Sequence, residues 1–218
     1  MKTLNKADQI FFFLSDYYKD QSPPSVTEIA KLNGNDPFRV LISTIISLRT
    51  KDEVTLKVSK KLFANAPDCK TMSNLEIEEI EKLIFPANFY KTKAKNIKET
   101  SIEILKSHKG KVPDTIDELL KFKGVGRKTA TLVMIEGFGR NEICVDTHVH
   151  RVSNRLGIVY TKNPLETEIE LKKIFPENRW NKINEMFVVY GQKVCKPKNP
   201  FCSYCKLESL CDKKYQKI

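Results

Sequence analysis

Val112-Pro-Asp-Thr-Ile-Asp-Glu-Leu-Leu-Lys-Phe-Lys-Gly-Val-Gly-Arg-Lys-Thr-Ala130 sets two helical segments on either side of a four-residue turn, Lys123-Gly124-Val125-Gly126. Two glycines one residue apart let the backbone take positive φ and approach a ligand with no Cβ in the way. The N–H groups at the start of the following helix then point outward as an anion site. Lys123, Arg127 and Lys128 gather there, and the anion that fits is a DNA phosphate, held without reading sequence. A glycine helix C-cap followed by a tight turn would produce the same residues, so the hairpin alone does not decide.

Lys128 adds chemistry. It falls on the first turn of the second helix, beside Arg127. An ordinary lysine, with a pKa of about 10.4, is a poor nucleophile at neutral pH. Neighbouring cations, the helix N-terminus and partial burial are expected to destabilise its ammonium and yield a reactive amine. Further on comes Val145-Asp-Thr-His-Val-His-Arg-Val152. Asp146 there is either a helix N-cap or the carboxylate partner of that amine. His148 and His150 invite a metal reading, but H-x-H with no further ligands nearby is thin support for one.

Outward from this stretch the chain reads as helix after helix, and the expected class is all-α. Lys6 to Tyr18 has apolar residues at helical spacing, and Asp36-Pro37 offers an N-cap and N1 proline for a helix from Phe38 to Leu48. Capping boxes are expected at Ser25–Glu28, Thr50–Glu53 and Ser73–Glu76. A long basic amphipathic helix is expected over 91–107, with Ile97, Ile102, Ile104 and Leu105 toward a core. Further helices fit 114–121, 127–137, 147–156, 164–175 and 179–190. Strand alternation is confined to fragments such as 143–149.

Composition narrows the partners. The 218 residues are 40% hydrophobic and 30% charged with 8 glycines, which excludes collagen-like and low-complexity classes. Apolar runs are short, as at Ile10 to Leu14, so no membrane span is expected; nor does the N-terminus read as a signal peptide. The expected location is cytoplasmic, associated with the nucleoid. Lys and Arg number 38 against 27 Asp and Glu, a net charge of +11. That excess is concentrated: residues 86–130 carry 11 basic and 5 acidic residues, and residues 190–218 carry 7 and 2. Two separated basic regions suit a nucleic-acid backbone.

Four of the six cysteines, Cys195-x6-Cys202-x2-Cys205-x5-Cys211, crowd the end of the chain. Without an export signal, a metal or cluster is favoured over disulfides. Four thiolates are the usual complement of a [4Fe–4S] cluster. Zinc is the alternative, although its structural sites more often pair two C-x2-C units. Cys69 and Cys144 read as buried thiols.

Phe122-Lys-Gly-Val-Gly-Arg-Lys-Thr-Ala130, Val145-Asp-Thr-His-Val149 with Arg151, Asp36-Pro37-Phe38, Phe89-Tyr90 with Lys93-Ala94 and the cysteine spacing occur here in one order. Together they resemble the endonuclease III family of helix-hairpin-helix DNA glycosylases, over essentially the whole chain. The resemblance implies a six-helix barrel domain over 30–140 and a discontinuous iron–sulfur cluster domain from 1–29 and 141–218, with the lesion site between them. It implies a monomer acting on double-stranded DNA that contains damaged pyrimidines or abasic sites, excising the base and nicking the strand by Schiff-base β-elimination. Lys128 would be the nucleophile, Asp146 would assist proton transfer, and Cys195, Cys202, Cys205 and Cys211 would bind a [4Fe–4S] cluster.

DNA contacts are implied for the hairpin residues Lys123, Gly124, Val125, Gly126 and Arg127, for His148, and for Lys196 and Lys198 in the cluster loop. Arg49 stands where many relatives have a Gln that fills the gap left by the flipped base, and Phe89 is the candidate wedge or else a core aromatic. The family's usual Leu-Pro is Phe122-Lys123, and its glycine before the aromatic pair is Asn88, a residue that tolerates the left-handed region. A monofunctional mismatch glycosylase acting on thymine or uracil is the alternative of the same fold, although relatives specialised for mismatched thymine or adenine usually place Tyr or Ser at the Lys128 position. A non-catalytic DNA-binding iron–sulfur module is the more distant alternative.

Overall fold

The structure, a computed structural model, describes residues 5–212. Among these the secondary structure is helical throughout, with no strand. The helices are α1 Lys6–Lys19, α2 Ser25–Leu32, α3 Pro37–Ser47, α4 Asp52–Asn65, α5 Cys69–Asn74, α6 Ile77–Ile84, α7 Tyr90–His108, α8 Ile116–Leu119, α9 Arg127–Glu136, α10 Thr147–Arg155, α11 Pro164–Ile174 and α12 Trp180–Lys193. The all-α expectation holds. The chain divides into two compact units, Pro24–Arg140 and the paired segments Met1–Pro23 with Asn141–Ile218.

In the first of these units α3 is the central element. Asp36 caps it by accepting the Arg39 N–H, and Pro37 occupies its first turn, as the sequence predicts. Every residue from Phe38 to Ile46 except Arg39 is buried, because α2, α4, α7 and α9 all pack against it. Each large aliphatic side chain so enclosed contributes about 1.5–3 kcal/mol. The expected domain boundary at residue 30 falls inside α2, which packs on α3 and α4 and bonds α4 through Ser25 Oγ to Asp52. Chain continuity through that helix moves the boundary to Pro23–Pro24.

Three expected capping boxes are not made. Ser25 already lies in α2, where its hydroxyl donates to Asp52, while α2 starts after Pro24 without a side-chain cap. Thr50 precedes α4, whose N-cap is Lys51, and its hydroxyl accepts from Lys93 instead. Ser73 belongs to α5; the box that opens α6 is made by Glu76 and Glu79. In each case a tertiary partner or a neighbouring carboxylate competes successfully for the local bond.

The other unit joins the N-terminal helix to the C-terminal half of the chain. Ile10 and Leu14 of α1 share a core with Val149 and Val152 of α10 and Phe187 and Tyr190 of α12. Asp8 is paired with Arg179, whose guanidinium lies over Phe11 and Phe12. Tyr18 donates to Glu185 at 2.7 Å. Residues 143–149 form no strand: Ile143, Cys144 and Val145 are buried as irregular backbone leading into α10, and Asn184 donates to Cys144 O at 2.9 Å. Beyond α12 the chain turns back at once, with the Cys195 N–H donating to Tyr190 O.

Candidate functional site

The hairpin turn lies between α8 and α9. Gly124 takes φ +81°, and a Cβ there would stand 2.3 Å from the Asn96 side-chain nitrogen, so the fold itself requires this glycine. Gly126 differs from the expectation for the pair. Its φ is −98°, and a Cβ at that point meets no atom within 4 Å. Nothing inside the protein demands glycine here; the position faces open space at the start of α9. Gly126 is the N-cap residue and supplies no side-chain cap to the start of α9.

Arg127 and Lys128 flank that point and both are exposed, while Val125 is buried beneath. The sequence suggested partial burial for Lys128. The buried face of α9 instead begins with Thr129 and Ala130, leaving the preceding residue outside. Lys123 pairs with Glu99 at 3.2 Å, an exposed contact worth at most about 1 kcal/mol.

Arg49 and Phe89 come together in the same unit. Arg49 is exposed at the end of the α3–α4 connection, and its guanidinium carbon is 5.9 Å from the Phe89 ring centroid. Phe89 is 61% exposed, so it is no core aromatic. The left-handed residue here is Phe89 (φ +56°), not Asn88; the Asn88 amide donates to Arg49 O.

The unit's least expected feature is Lys93, which falls in the basic helix expected over 91–107. It is 5% exposed and donates to Ile46 O at 2.6 Å, Leu48 O at 2.7 Å and Thr50 Oγ1 at 2.8 Å. Burial pushes its pKa down to about 8, while the three acceptors around Nζ favour the ammonium. The departure of α3 from helical geometry at Leu48 exposes these carbonyls, a signal no local pattern carries.

In the other unit Asp146 is the N-cap of α10. Its Oδ1 accepts from His148 N at 2.8 Å and Val149 N at 2.9 Å, and the residue is 9% exposed. This gives a clean separation of roles. Asp146→Asn keeps the amide oxygen that caps the helix, so unfolding free energy should change by well under 1 kcal/mol. If the carboxylate also works in proton transfer, single-turnover base excision should fall about 10²–10⁴-fold. Thermal melts beside excision rates check this, and equal rates would confine Asp146 to capping.

His148 and His150 do not converge. His148 Nδ1 sits 3.1 Å from Arg151, whereas His150 Nδ1 is 2.7 Å from Thr167, and burial lowers the His150 pKa.

All six cysteines are thiols, and Cys69 and Cys144 are buried. Cys195, Cys202, Cys205 and Cys211 line one pocket, walled otherwise by Leu156, Tyr190, Val194, Pro200, Phe201 and Arg155. Tyr190 Oη is 3.0 Å from Cys205 Sγ, and Arg155 donates to Cys195 Sγ at 3.7 Å. Burial, then the Cys205 contact, pushes the Tyr190 phenol upward, so it stays protonated as a donor. Among the described residues no three His, Cys, Asp or Glu side chains close on a single-ion site. Four thiols lining one largely apolar pocket match a cluster's donor set in number and chemistry.

Two arginines shape the loop that follows, one of them outside the residues the sequence singled out. Arg151 donates to Gly191 O at 2.8 Å and Cys195 O at 2.9 Å, and Arg155 to Lys196 O at 2.7 Å and Pro197 O at 3.0 Å. Lys198 is left exposed, and Lys196 lies over the Phe201 ring at 4.4 Å.

Residues 42–177 match the HhH-GPD superfamily of base excision DNA repair proteins. An endonuclease III of Thermotoga maritima is 48% identical over 177 residues, covering 81% of this chain and 83% of that protein. The chain belongs to the endonuclease III family. Another endonuclease III, from Synechocystis sp., is 35% identical over 94% of this chain and 91% of its own length. Among solved structures, a trapped endonuclease III–DNA covalent intermediate matches with a TM-score of 0.82 at 32% identity, covering 97% of each chain. A non-covalent endonuclease III–DNA complex gives 0.85 at the same identity and coverage. A thermostable thymine-DNA glycosylase, at 22% identity and 0.82, shares the fold. Membership accounts for the order of the motifs along the chain and for the all-helical architecture.

Proposed function

We propose that the protein is a bifunctional DNA glycosylase and abasic-site lyase of base excision repair, acting on oxidised pyrimidines in duplex DNA. The observation that carries this reading is the start of α9. A helix N-terminus entered through a glycine that faces open space, and that brings no side chain of its own to the turn, carries exposed Arg127 and Lys128. Such a terminus binds phosphate through backbone N–H groups, without sequence preference. A phosphate contact alone does not need Lys128 to be an amine. The relatives named endonuclease III, and a solved structure of that enzyme trapped covalently on DNA, favour the nucleophile.

In this mechanism the damaged nucleotide leaves the stack, at a cost of a few kcal/mol that is lowest for a damaged base. Lys128 Nζ, as the free amine, bonds to the sugar C1′ while the glycosidic C–N bond breaks, and the departing base takes up a proton. Ring opening gives the imine. Loss of a C2′ proton then expels the 3′ phosphate, and water hydrolyses the imine to free Lys128. Asp146 assists the proton transfers and stabilises positive charge developing on the sugar. The hairpin residues 123–127, His148, Lys196 and Lys198 hold the backbone, and Arg49 and Phe89 occupy the gap in the duplex.

The same reading assigns a [4Fe–4S] cluster to Cys195, Cys202, Cys205 and Cys211. It would hold the Cys195–Cys211 segment in shape and supply no step of the reaction. No described helix is long and apolar enough to cross a membrane, and the substrate places the enzyme with chromosomal DNA. Borohydride reduction on a duplex bearing one thymine glycol tests the function directly. A covalent protein–DNA adduct and a 3′-side nick are expected. Base release with neither, from cluster-loaded protein, would leave a monofunctional glycosylase.

A further inference from the structure

Arg49 and Phe89 share a conformational oddity. Both are bulky residues in the left-handed region, at φ +55° and +56°, where a residue with a Cβ is strained. Both are exposed, so neither is held there by packing of its own side chain. Their backbone is fixed by other means, and the means are the same few atoms.

Lys93 lies one turn into α7, with its N–H donating to Phe89 O at 3.0 Å. Its Nζ reaches across to the α3–α4 connection and binds the residues on both sides of Arg49, at Leu48 O and Thr50 Oγ1, together with Ile46 O. Asn88, on the other side of Phe89, donates to Arg49 O itself. The turn that presents Arg49 and the helix start that presents Phe89 are thus bonded through four donor–acceptor contacts from two side chains. Enclosing an ammonium costs several kcal/mol when it is unpaired. A methionine would fill much of that volume without this cost; it would lack the donors.

We propose that Lys93 and Asn88 are positioning residues, clamping the Leu48–Thr50 turn to the start of α7 so that Arg49 and Phe89 meet DNA as one preset, two-pronged wedge. The proposal rests on the reading above in which these two side chains enter the duplex where the base has left. Neither clamp residue touches substrate. What they supply is preorganisation: the ordering of two exposed side chains is completed before DNA arrives and does not weaken lesion binding.

The test is discrimination, measured as the ratio of affinities for a duplex with one tetrahydrofuran abasic analogue and for the same duplex undamaged, at one salt concentration. Arg49→Ala and Phe89→Ala should each lower that ratio about tenfold, in the range of one lost stacking contact. Lys93→Met should lower it comparably, and Asn88→Ala several-fold, with affinity for undamaged duplex unchanged in both. Lys93→Gln, which restores part of the donor set, should recover part of the loss. Adding Lys93→Met to the Arg49→Ala/Phe89→Ala double variant should cost nothing further, whereas general destabilisation would make the losses multiply.

If Arg49→Ala and Phe89→Ala leave the ratio untouched, the wedge reading beneath the proposal fails. If they lower it while Asn88→Ala and a folded Lys93→Met do not, the clamp is overturned. Should Lys93→Met fail to fold, Asn88→Ala decides alone, since Asn88 is exposed and its loss leaves the core intact.

Discussion

Lys128→Ala is expected to abolish borohydride trapping and to slow strand nicking by roughly 10⁴- to 10⁶-fold, the scale on which enzymes lose rate when a covalent nucleophile is removed. Affinity for an abasic-analogue duplex should be largely kept, because the α9 N–H groups and Arg127 remain. Lys128→Arg sharpens the result. Arginine preserves the positive charge at the helix start and binds phosphate at least as well as lysine, yet it offers no free amine at neutral pH. A lysine that only contacts phosphate would survive this exchange with activity intact. A nucleophile would not, and both variants should behave alike in nicking while differing in affinity. Retained nicking by Lys128→Arg would remove Lys128 from the chemistry.

The second large effect concerns the cysteine pocket. Cys205→Ser replaces a soft thiolate by a hydroxyl that binds iron poorly, and it alters the contact with Tyr190, which lies in the core of its unit. Iron content should fall from about four atoms per chain toward zero. Stability should drop by about 4 kcal/mol or more, as when a structural metal is lost. Lys198 and Lys206 then become accelerated sites of tryptic cleavage. Cys144→Ala, a change at a buried thiol away from the pocket, should keep its iron. Full iron loading in Cys205→Ser, with unaltered proteolysis, would exclude Cys205 as a ligand.

Much of this architecture was legible because it is written locally. The Gly124–Gly126 pair, the lysines beside it, the Asp36-Pro37 helix start and the Cys195–Cys211 spacing are all patterns contained in one short stretch of chain. What escaped was decided by distant partners. Ser25 and Thr50 look like helix caps, yet Asp52 and Lys93 claim their hydroxyls. Asn88 is the residue best suited to a left-handed backbone, but its amide is worth more on Arg49 O, and the strain passes to Phe89. Lys93 sits in a run of lysines on a basic helix; only the end of α3, more than forty residues earlier in the chain, makes it internal. Arg155 gave no signal, because its partners are backbone carbonyls whose identity no side chain reveals.

The unit that joins both ends of the chain has a consequence for its birth. On the ribosome α1 is made before α10 and α12, so Ile10, Phe11 and Leu14 are ready for burial while their partners do not yet exist. The whole of Pro24–Arg140 must be translated in between. At about 5–20 residues per second that stretch alone takes roughly 6–23 s. Once Arg140 has been added, the intervening unit has every element it needs to close around α3, while the apolar face of α1 stays uncovered until α10 and α12 follow.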